Sequence, residues 1–249
     1  MNNILEIKNL KKIYHTKDKE ILAVEDFSFD VKEGEFIAIV GPSGCGKSTI
    51  LSILCGLEEK SGGNIIIKDK IKIGYMLQQD SLFEWRNILN NCLLGLEINK
   101  NLNEDSKNNV IDLLNSYGLK DFIYSYPDNL SGGMRQRVAL IRTLADNPNL
   151  LLMDEPFSAL DYQSRLAISD DIYNILKKEK KTMIMVTHDI AEAISMCDKV
   201  IVLTQRPAKI KSIYEIKLEN KSTPINNRKD KNFAYYYDSI WKDIDFHVQ

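Results

Sequence analysis

No apolar run in this sequence approaches the roughly 18–20 residues that a membrane-spanning helix needs. If the chain works at a membrane, another chain is expected to supply the pore. Met1-Asn2-Asn3 leads straight into Ile4-Leu5-Glu6-Ile7, so nothing resembles a secretory leader and the chain reads as soluble on its own. Cysteine is sparse: Cys45, Cys55, Cys92 and Cys197 have neither metal-ligand spacing nor a C-x-x-C pattern. That excludes zinc ribbons and dithiol redox chemistry and fits reduced thiols in an intracellular protein. Charge of one sign is also lacking, with 33 Lys and Arg against 35 Asp and Glu and a net charge of -2. An interspersed near-neutral surface gives no case for nucleic acid or an anionic membrane surface as the main partner. No internal repeat is visible.

What the 249 residues do contain is enough length for one large α/β domain or a core with an inserted lobe. Over residues 4–40 short alternating stretches, such as Leu5-Glu6-Ile7-Lys8 and Phe27-Ser28-Phe29-Asp30-Val31, predict antiparallel strands. Ile65-Ile66-Ile67 and Ile71 to Met76 are expected to join either these or a core sheet. Residues from about 80 to 148 look helical: Val110, Leu113, Leu114 and Tyr117 follow i, i+3, i+4, i+7, with Gly118 as a stop, and a further helix should start at Ser131-Gly132-Gly133. Leu150 to Met153, Met183 to Val186 and Val200 to Leu203 are short apolar runs without alternation, as expected of parallel strands covered on both faces. Ile168, Ile172, Ile175 and Leu176 mark a crossover helix. Glu219 to Asn232 reads as a polar linker, after which Phe233, Tyr237, Ile240, Trp241 and Ile244 form one face of a terminal helix. The expected organisation is a domain over 1–218, with a helical subdomain at about 80–148, and a linker plus helix over 219–249.

The chemistry lies in the order of three segments. Gly41-Pro42-Ser43-Gly44-Cys45-Gly46-Lys47-Ser48 fits G-x-x-x-x-G-K-[ST], a loop whose main-chain N–H groups surround phosphates. It follows the apolar strand Phe36 to Val40 and precedes a helical run from Thr49 to Cys55, with Gly56 as its cap. Lys47 would set its ammonium against the β- and γ-phosphates, and the Ser48 hydroxyl would ligate Mg²⁺. Asp154 ends an apolar strand, where a carboxylate can hold the metal shell, and Glu155 beside it can polarise water. Ser131-Gly132-Gly133 at a helix start offers small residues and free N–H groups and resembles a second phosphate cradle; a capped helix with a flexible entry is the alternative reading.

This ordered set resembles the ATP-binding cassette family of ATPases over residues 4 to 210. The resemblance implies a P-loop core with a mostly parallel sheet, an antiparallel β subdomain and an inserted helical subdomain. It also implies ATP and Mg²⁺ as cofactors, with Gly41 to Thr49 forming the nucleotide loop and Tyr14 stacking on adenine. Gln78, chosen over Gln79 by its spacing to Trp85, matches the glutamine that links the metal and attacking water to the membrane partner. Ser158-Ala159-Leu160-Asp161 matches a loop crossing between subunits, and His188 in Val186-Thr187-His188-Asp189 a histidine at the γ-phosphate. The resemblance further implies a head-to-tail homodimer in which Ser131, Gly132 and Gly133 of one copy close over ATP held by Lys47 of the other. The catalytic set is then Glu155, His188, Lys47 and Gln78, and the metal set Ser48, Gln78 and Asp154. Met134 stands where many members carry glutamine, which removes a side-chain hydrogen bond but leaves the main-chain donors.

Leu82 to Asn87 and Arg206-Pro207-Ala208-Lys209-Ile210 are similar to segments of the nitrate, sulfonate, taurine and thiamine-precursor importers, with Glu84 in place of a proline and Ala208 of a glycine. The implied function is the ATPase of an importer for a small anionic or related solute. Its partners would be a permease, gripped near Trp85, and indirectly a solute-binding protein, at the cytoplasmic face of the membrane. The alternatives are an exporter or lipid-handling ATPase, a soluble non-transport cassette, or a non-catalytic scaffold.

Overall fold

The computed structural model describes residues 3–244 apart from Asp18 and Ala159. Its strands are β1 (Asn3–His15), β2 (Glu20–Lys32), β3 (Phe36–Val40), β4 (Gly62–Ile67), β5 (Ile73–Met76), β6 (Leu150–Asp154), β7 (Thr182–Val186), β8 (Lys199–Leu203) and β9 (Ile210–Glu215). They form an antiparallel sheet in the order β2-β1-β4 and a six-stranded sheet in the order β5-β6-β7-β3-β8-β9. The larger sheet is parallel except for the β8–β9 pair. Of the two segments left open, Ile65 to Ile67 pairs with β1, and Ile73 to Met76 forms the edge beside β6.

The central strands lack alternation because each of their faces meets a different core. Phe36, Ala38, Val40, Leu151, Met153, Met183, Met185, Val200 and Val202 face the helical side. Ile37, Ile39, Leu150, Leu152, Ile184, Val186, Ile201 and Leu203 face the antiparallel sheet. Burying a side chain of this kind contributes about 1.5–3 kcal/mol, so polar substitution is costly on either face. The edge strand β9 was missed from sequence. Only one of its faces is covered, and its residues alternate half-buried with exposed.

The helices are α1 (Lys47–Leu54), α2 (Ile88–Ile98), α3 (Glu104–Ser116), α4 (Gly132–Leu144), α5 (Tyr162–Lys178), α6 (Ile190–Met196), α7 (Pro224–Asn227) and α8 (Phe233–Ile244). The stretch expected to be helical from about 80 begins its first helix at 88, because the Asn87 side chain caps α2 by accepting from the Asn90 N–H at 2.8 Å. Ahead of it, Asp80 accepts from the Leu82 N–H and Arg142 donates to the Ser81 carbonyl, which holds these residues in turns. Gly118 stops α3 with φ 72°, in the left-handed region that favours glycine.

Residues 219–232, read from their polarity as a linker, are anchored to the rest of the chain by hydrogen bonds. Asn227 is 1% exposed, and its amide donates to the Ser195 carbonyl at 2.7 Å and the Ser222 carbonyl at 3.2 Å. Lys221 donates to the Cys197 carbonyl at 2.9 Å and pairs with Asp198. Polar composition here reflects polar anchoring to α6, not solvation. In α8, Ile240 and Ile244 enter the core, whereas Trp241 is 50% exposed and stacks on Tyr237. One residue beyond Ile240 is about 100° around the helix, which turns Trp241 off the buried face.

Candidate functional site

The strand β3 delivers the chain at Val40 into the loop 41–46, and α1 starts at Lys47. Gly46 at the helix cap takes φ 126°, and no side chain caps the helix. The start of α1 therefore points main-chain N–H groups toward an external anion, with the helix dipole adding to the attraction. A Cβ on Gly46 would lie 3.0 Å from the Ala23 carbonyl, so position as well as φ requires glycine there. The Lys47 side chain is buried, and its ammonium donates to the Gly41 carbonyl at 2.9 Å and the Pro42 carbonyl at 3.0 Å. Lys47 forms no direct ion pair among the described residues: its hydrogen bonds go to main-chain carbonyls, and the nearby Asp154 carboxylate acts on it only through space.

Register places the acidic end of β6 beside this loop. The Ser48 hydroxyl donates to Asp154 Oδ1 at 3.1 Å, and the Tyr75 hydroxyl to Oδ2 at 3.4 Å. Burial holds the Asp154 carboxyl above the usual carboxylate range. The Ser48 bond and Lys47 offset part of that shift, and Glu155 adds to it. Burial, then Asp154, pushes the Tyr75 phenol up to about 12. A desolvated carboxylate beside a hydroxyl suits a hard cation, which would offset the cost of burying that charge.

Glu155 has φ 45°, a left-handed conformation that non-glycine residues rarely adopt. Its N–H is fixed by the Val186 carbonyl at 2.9 Å. The Gln78 amide donates to Glu155 Oε2 at 3.2 Å, and His188 Nδ1 lies 3.1 Å from the same oxygen. Three loops after three different strands thus converge on one carboxylate. Of the paired glutamines it is Gln78, not Gln79, whose bond to Glu155 is formed.

A cavity of about 590 Å³ is lined by Tyr14, Ser43, Gly44, Gly46, Lys47, Ser48, Thr49 and Glu155, with Arg206 added. Tyr14 enters through a hydrogen bond to the Thr49 hydroxyl at 3.4 Å, while the Lys12 ammonium lies 4.6 Å from its ring centroid. Gly41 and Cys45 are buried beneath the loop, and the Cys45 N–H turns inward to the Pro42 carbonyl at 3.3 Å. Glu155 also lines a second cavity, of about 790 Å³, with Gln78, Ser158 and His188. Ser131, Gly132 and Gly133 do not reach either space. They line a third, of about 380 Å³, with Leu160 and Asp161. The Ser131 hydroxyl caps α4 at the Met134 N–H, and a Cβ on Gly133 would collide at 2.7 Å with Ile168. Ala159 of the neighbouring loop lies outside the described residues.

A family profile described as ABC transporter matches residues 24–158. The uncharacterized ABC transporter ATP-binding protein YtlC of Bacillus subtilis is 44% identical, covering 97% of this chain and 96% of that one. The chain belongs to the ABC transporter ATPase family. This cassette is also 36% identical to the aliphatic sulfonates import ATP-binding protein SsuB of Bacillus cereus (strain ZK / E33L), over 86% of each chain. Among solved structures, the dimeric post-hydrolysis state of the ATP-binding cassette MJ0796 bound to ADP and Pi has a TM-score of 0.74 and 29% identity. It is covered over 99% of its length by 86% of this chain. The cassette is an ATP-binding ATPase of α/β fold, and its dimeric neighbours support self-association.

Sequence reasoning missed Tyr75 and Lys12 at this site and gave Arg206 no place in it. Tyr75 alternates with the core residues of a short strand, so only its pairing with β6 brings its hydroxyl to Asp154.

Proposed function

We propose that this cassette is the ATP-hydrolysing subunit of an importer for a small anionic or related solute, of the nitrate, sulfonate, taurine or thiamine-precursor kind. The observation that carries the ATPase half is the joint hold of Gln78 and His188 on Glu155, beside Lys47, Ser48 and Asp154. The likeness to the sulfonate import protein supports the importer half.

In this reading the loop from Gly41 to Thr49 cradles the phosphates, with Gly41 and Cys45 supporting it from beneath, and Tyr14 stacks on adenine. Lys47 exchanges the Gly41 and Pro42 carbonyls for the β- and γ-phosphates. Ser48, Asp154 and Gln78 would hold Mg²⁺, which would supply charge neutralisation on the phosphates. Glu155 orients water for in-line attack, and His188 stabilises the charge that develops on the γ-phosphate. Ser131, Gly132 and Gly133 line a separate cavity in the same chain. A second copy, arranged head to tail, brings them over the nucleotide. Nucleotide then biases an equilibrium between open and closed pairs, and the permease follows. Trp85 is 75% exposed and lies tilted at 38° against Phe83, with ring centroids 4.7 Å apart. With its neighbours it forms the docking segment for that permease, which holds the cassette at the cytoplasmic face.

Glu155→Gln tests the reading. Its expected outcome is loss of steady-state ATP hydrolysis by about a hundredfold or more, with an ATP-bound dimer accumulating in light scattering. Unchanged hydrolysis removes Glu155 from its role, and a monomer at saturating ATP removes the closed pair. Uptake of an alkyl sulfonate by vesicles carrying the cassette, a permease encoded beside it and a solute-binding protein tests the importer half.

A further inference from the structure

The segment between β8 and β9 is tied down at both ends. The Thr204 N–H donates to the Lys209 carbonyl at 3.0 Å, and the Thr204 hydroxyl to the Pro207 carbonyl at 2.9 Å. Ala208 is fully buried; its N–H donates to the Ala23 carbonyl at 2.9 Å, and its carbonyl accepts from the Glu25 N–H at 3.0 Å. Lys209 adds an ion pair to Glu25 at 2.9 Å. This turn therefore joins β2 of the antiparallel sheet to the rim of the phosphate loop. From that fixed base Arg206 reaches over the loop. Its Nη2 donates to the Gly44 carbonyl at 2.7 Å and its Nε to the same oxygen at 3.2 Å. A guanidinium has five N–H donors, so donors remain that this carbonyl does not use. No carboxylate pairs with Arg206 among the described residues, and it lines the cavity that Lys47 and Tyr14 line.

Two cations whose hydrogen bonds go to main-chain carbonyls share one cavity, which Glu155 also lines, and together they describe a site for a multiply charged anion. Arg206 is bonded to Gly44 within the loop and is absent from the cavity where Gln78 and His188 flank Glu155, so it is not among the side chains grouped around that carboxylate. Accepting the nucleotide reading of this cavity, we propose that Arg206 is a nucleotide-contacting residue. It supplies a second cation to the phosphates that ADP and ATP share, and holds Gly44 in the cradle conformation (φ 70°). It sets affinity rather than turnover.

The test measures equilibrium binding of ADP and of ATP, together with steady-state hydrolysis, for the full chain and for Arg206→Ala, Arg206→Gln and Arg206→Lys. Loss of one charge-assisted contact weakens ADP and ATP alike, by about tenfold in Arg206→Ala and Arg206→Gln. Arg206→Lys recovers most of it. KM for ATP rises by the same factor while kcat stays within about twofold. Affinity of the wild type falls more steeply with salt than that of Arg206→Gln. Binding by Arg206→Gln at the wild-type level overturns the proposal, because glutamine keeps a donor for Gly44 but no charge. A loss confined to ATP overturns it too, as does a fall in kcat at unchanged KM. Failure of the wild type to bind either nucleotide defeats the reading of the cavity instead and is seen before any variant is made.

Discussion

Asn227→Ala should destabilise the whole cassette, although the residue sits in a stretch with the composition of a linker. The side chain makes three hydrogen bonds: it donates to the Ser195 and Ser222 carbonyls and accepts from the Ser222 N–H at 2.7 Å. Alanine removes all of them and offers no replacement; the partner on Ser195, a fully buried residue, is left stranded, whereas Ser222 is exposed and water can take over its groups. Each such bond contributes about 1 kcal/mol net, and a stranded buried partner costs about 1–3 kcal/mol, so the loss is about 3 kcal/mol. For a chain of this size a loss of 1 kcal/mol lowers Tm by about 2–4 °C, which gives a fall of about 6–12 °C. Calorimetry and urea titration both read this, with Asn226→Ala, an exposed neighbour, as the control. If the two variants shift the midpoint equally, the docking of residues 219–232 on α6 is wrong.

Burial pushes the Glu192 carboxyl up to about 7, with Asp189 adding to the shift and the Thr187 hydroxyl and Arg165 opposing it. The folded state then binds a proton that the unfolded state, near 4.5, has released, so stability falls as pH rises from about 4.5 to 7 and levels off above. Glu192→Gln should flatten that slope and gain about 3 kcal/mol on the wild type between pH 5 and pH 8; parallel urea midpoints across that range would sink the idea. Gly63 takes φ 80°, and a Cβ there would run into the Asn9 carbonyl. Gly63→Ala should therefore cost about 3 kcal/mol, against about 1 kcal/mol for Gly34→Ala. Gly34 has a similar φ of 77° but open space around it, and equal losses in thermal melts would show that crowding plays no part. Asp154→Asn keeps the shape beside Ser48 and removes the charge. The Mg²⁺ concentration for half-maximal hydrolysis should rise at least about tenfold, and an unchanged metal dependence in a titration would take Asp154 out of the metal set.

Most of the site was readable from the chain because its chemistry sits in contiguous segments. The loop 41–48 carries its own glycines, lysine and serine, and its neighbours Phe36 to Val40 and Thr49 to Cys55 announce the strand and helix that present it. Asp154-Glu155 is legible for the same reason, as is the Ser131-Gly132-Gly133 helix start. The parallel strands showed themselves as runs without alternation, since both faces are covered by apolar layers. Local pattern failed where burial is polar or one-sided. The half-covered edge strand β9 went unseen, and Asn227 and Lys221 made a docked segment look like a tether.

Sequence alone determined the phosphate loop, the acidic pair and the strand–helix alternation, because each depends on residues adjacent in the chain. Tertiary structure decided which glutamine meets Glu155, that Tyr75 and Ser48 share Asp154, and that Arg206 leans over Gly44. It also decided that Ser131 to Gly133 line a space separate from Lys47. Those relations join residues far apart in sequence. They are fixed by which strands lie side by side, and strand order is a property of the packed sheet that no single segment encodes.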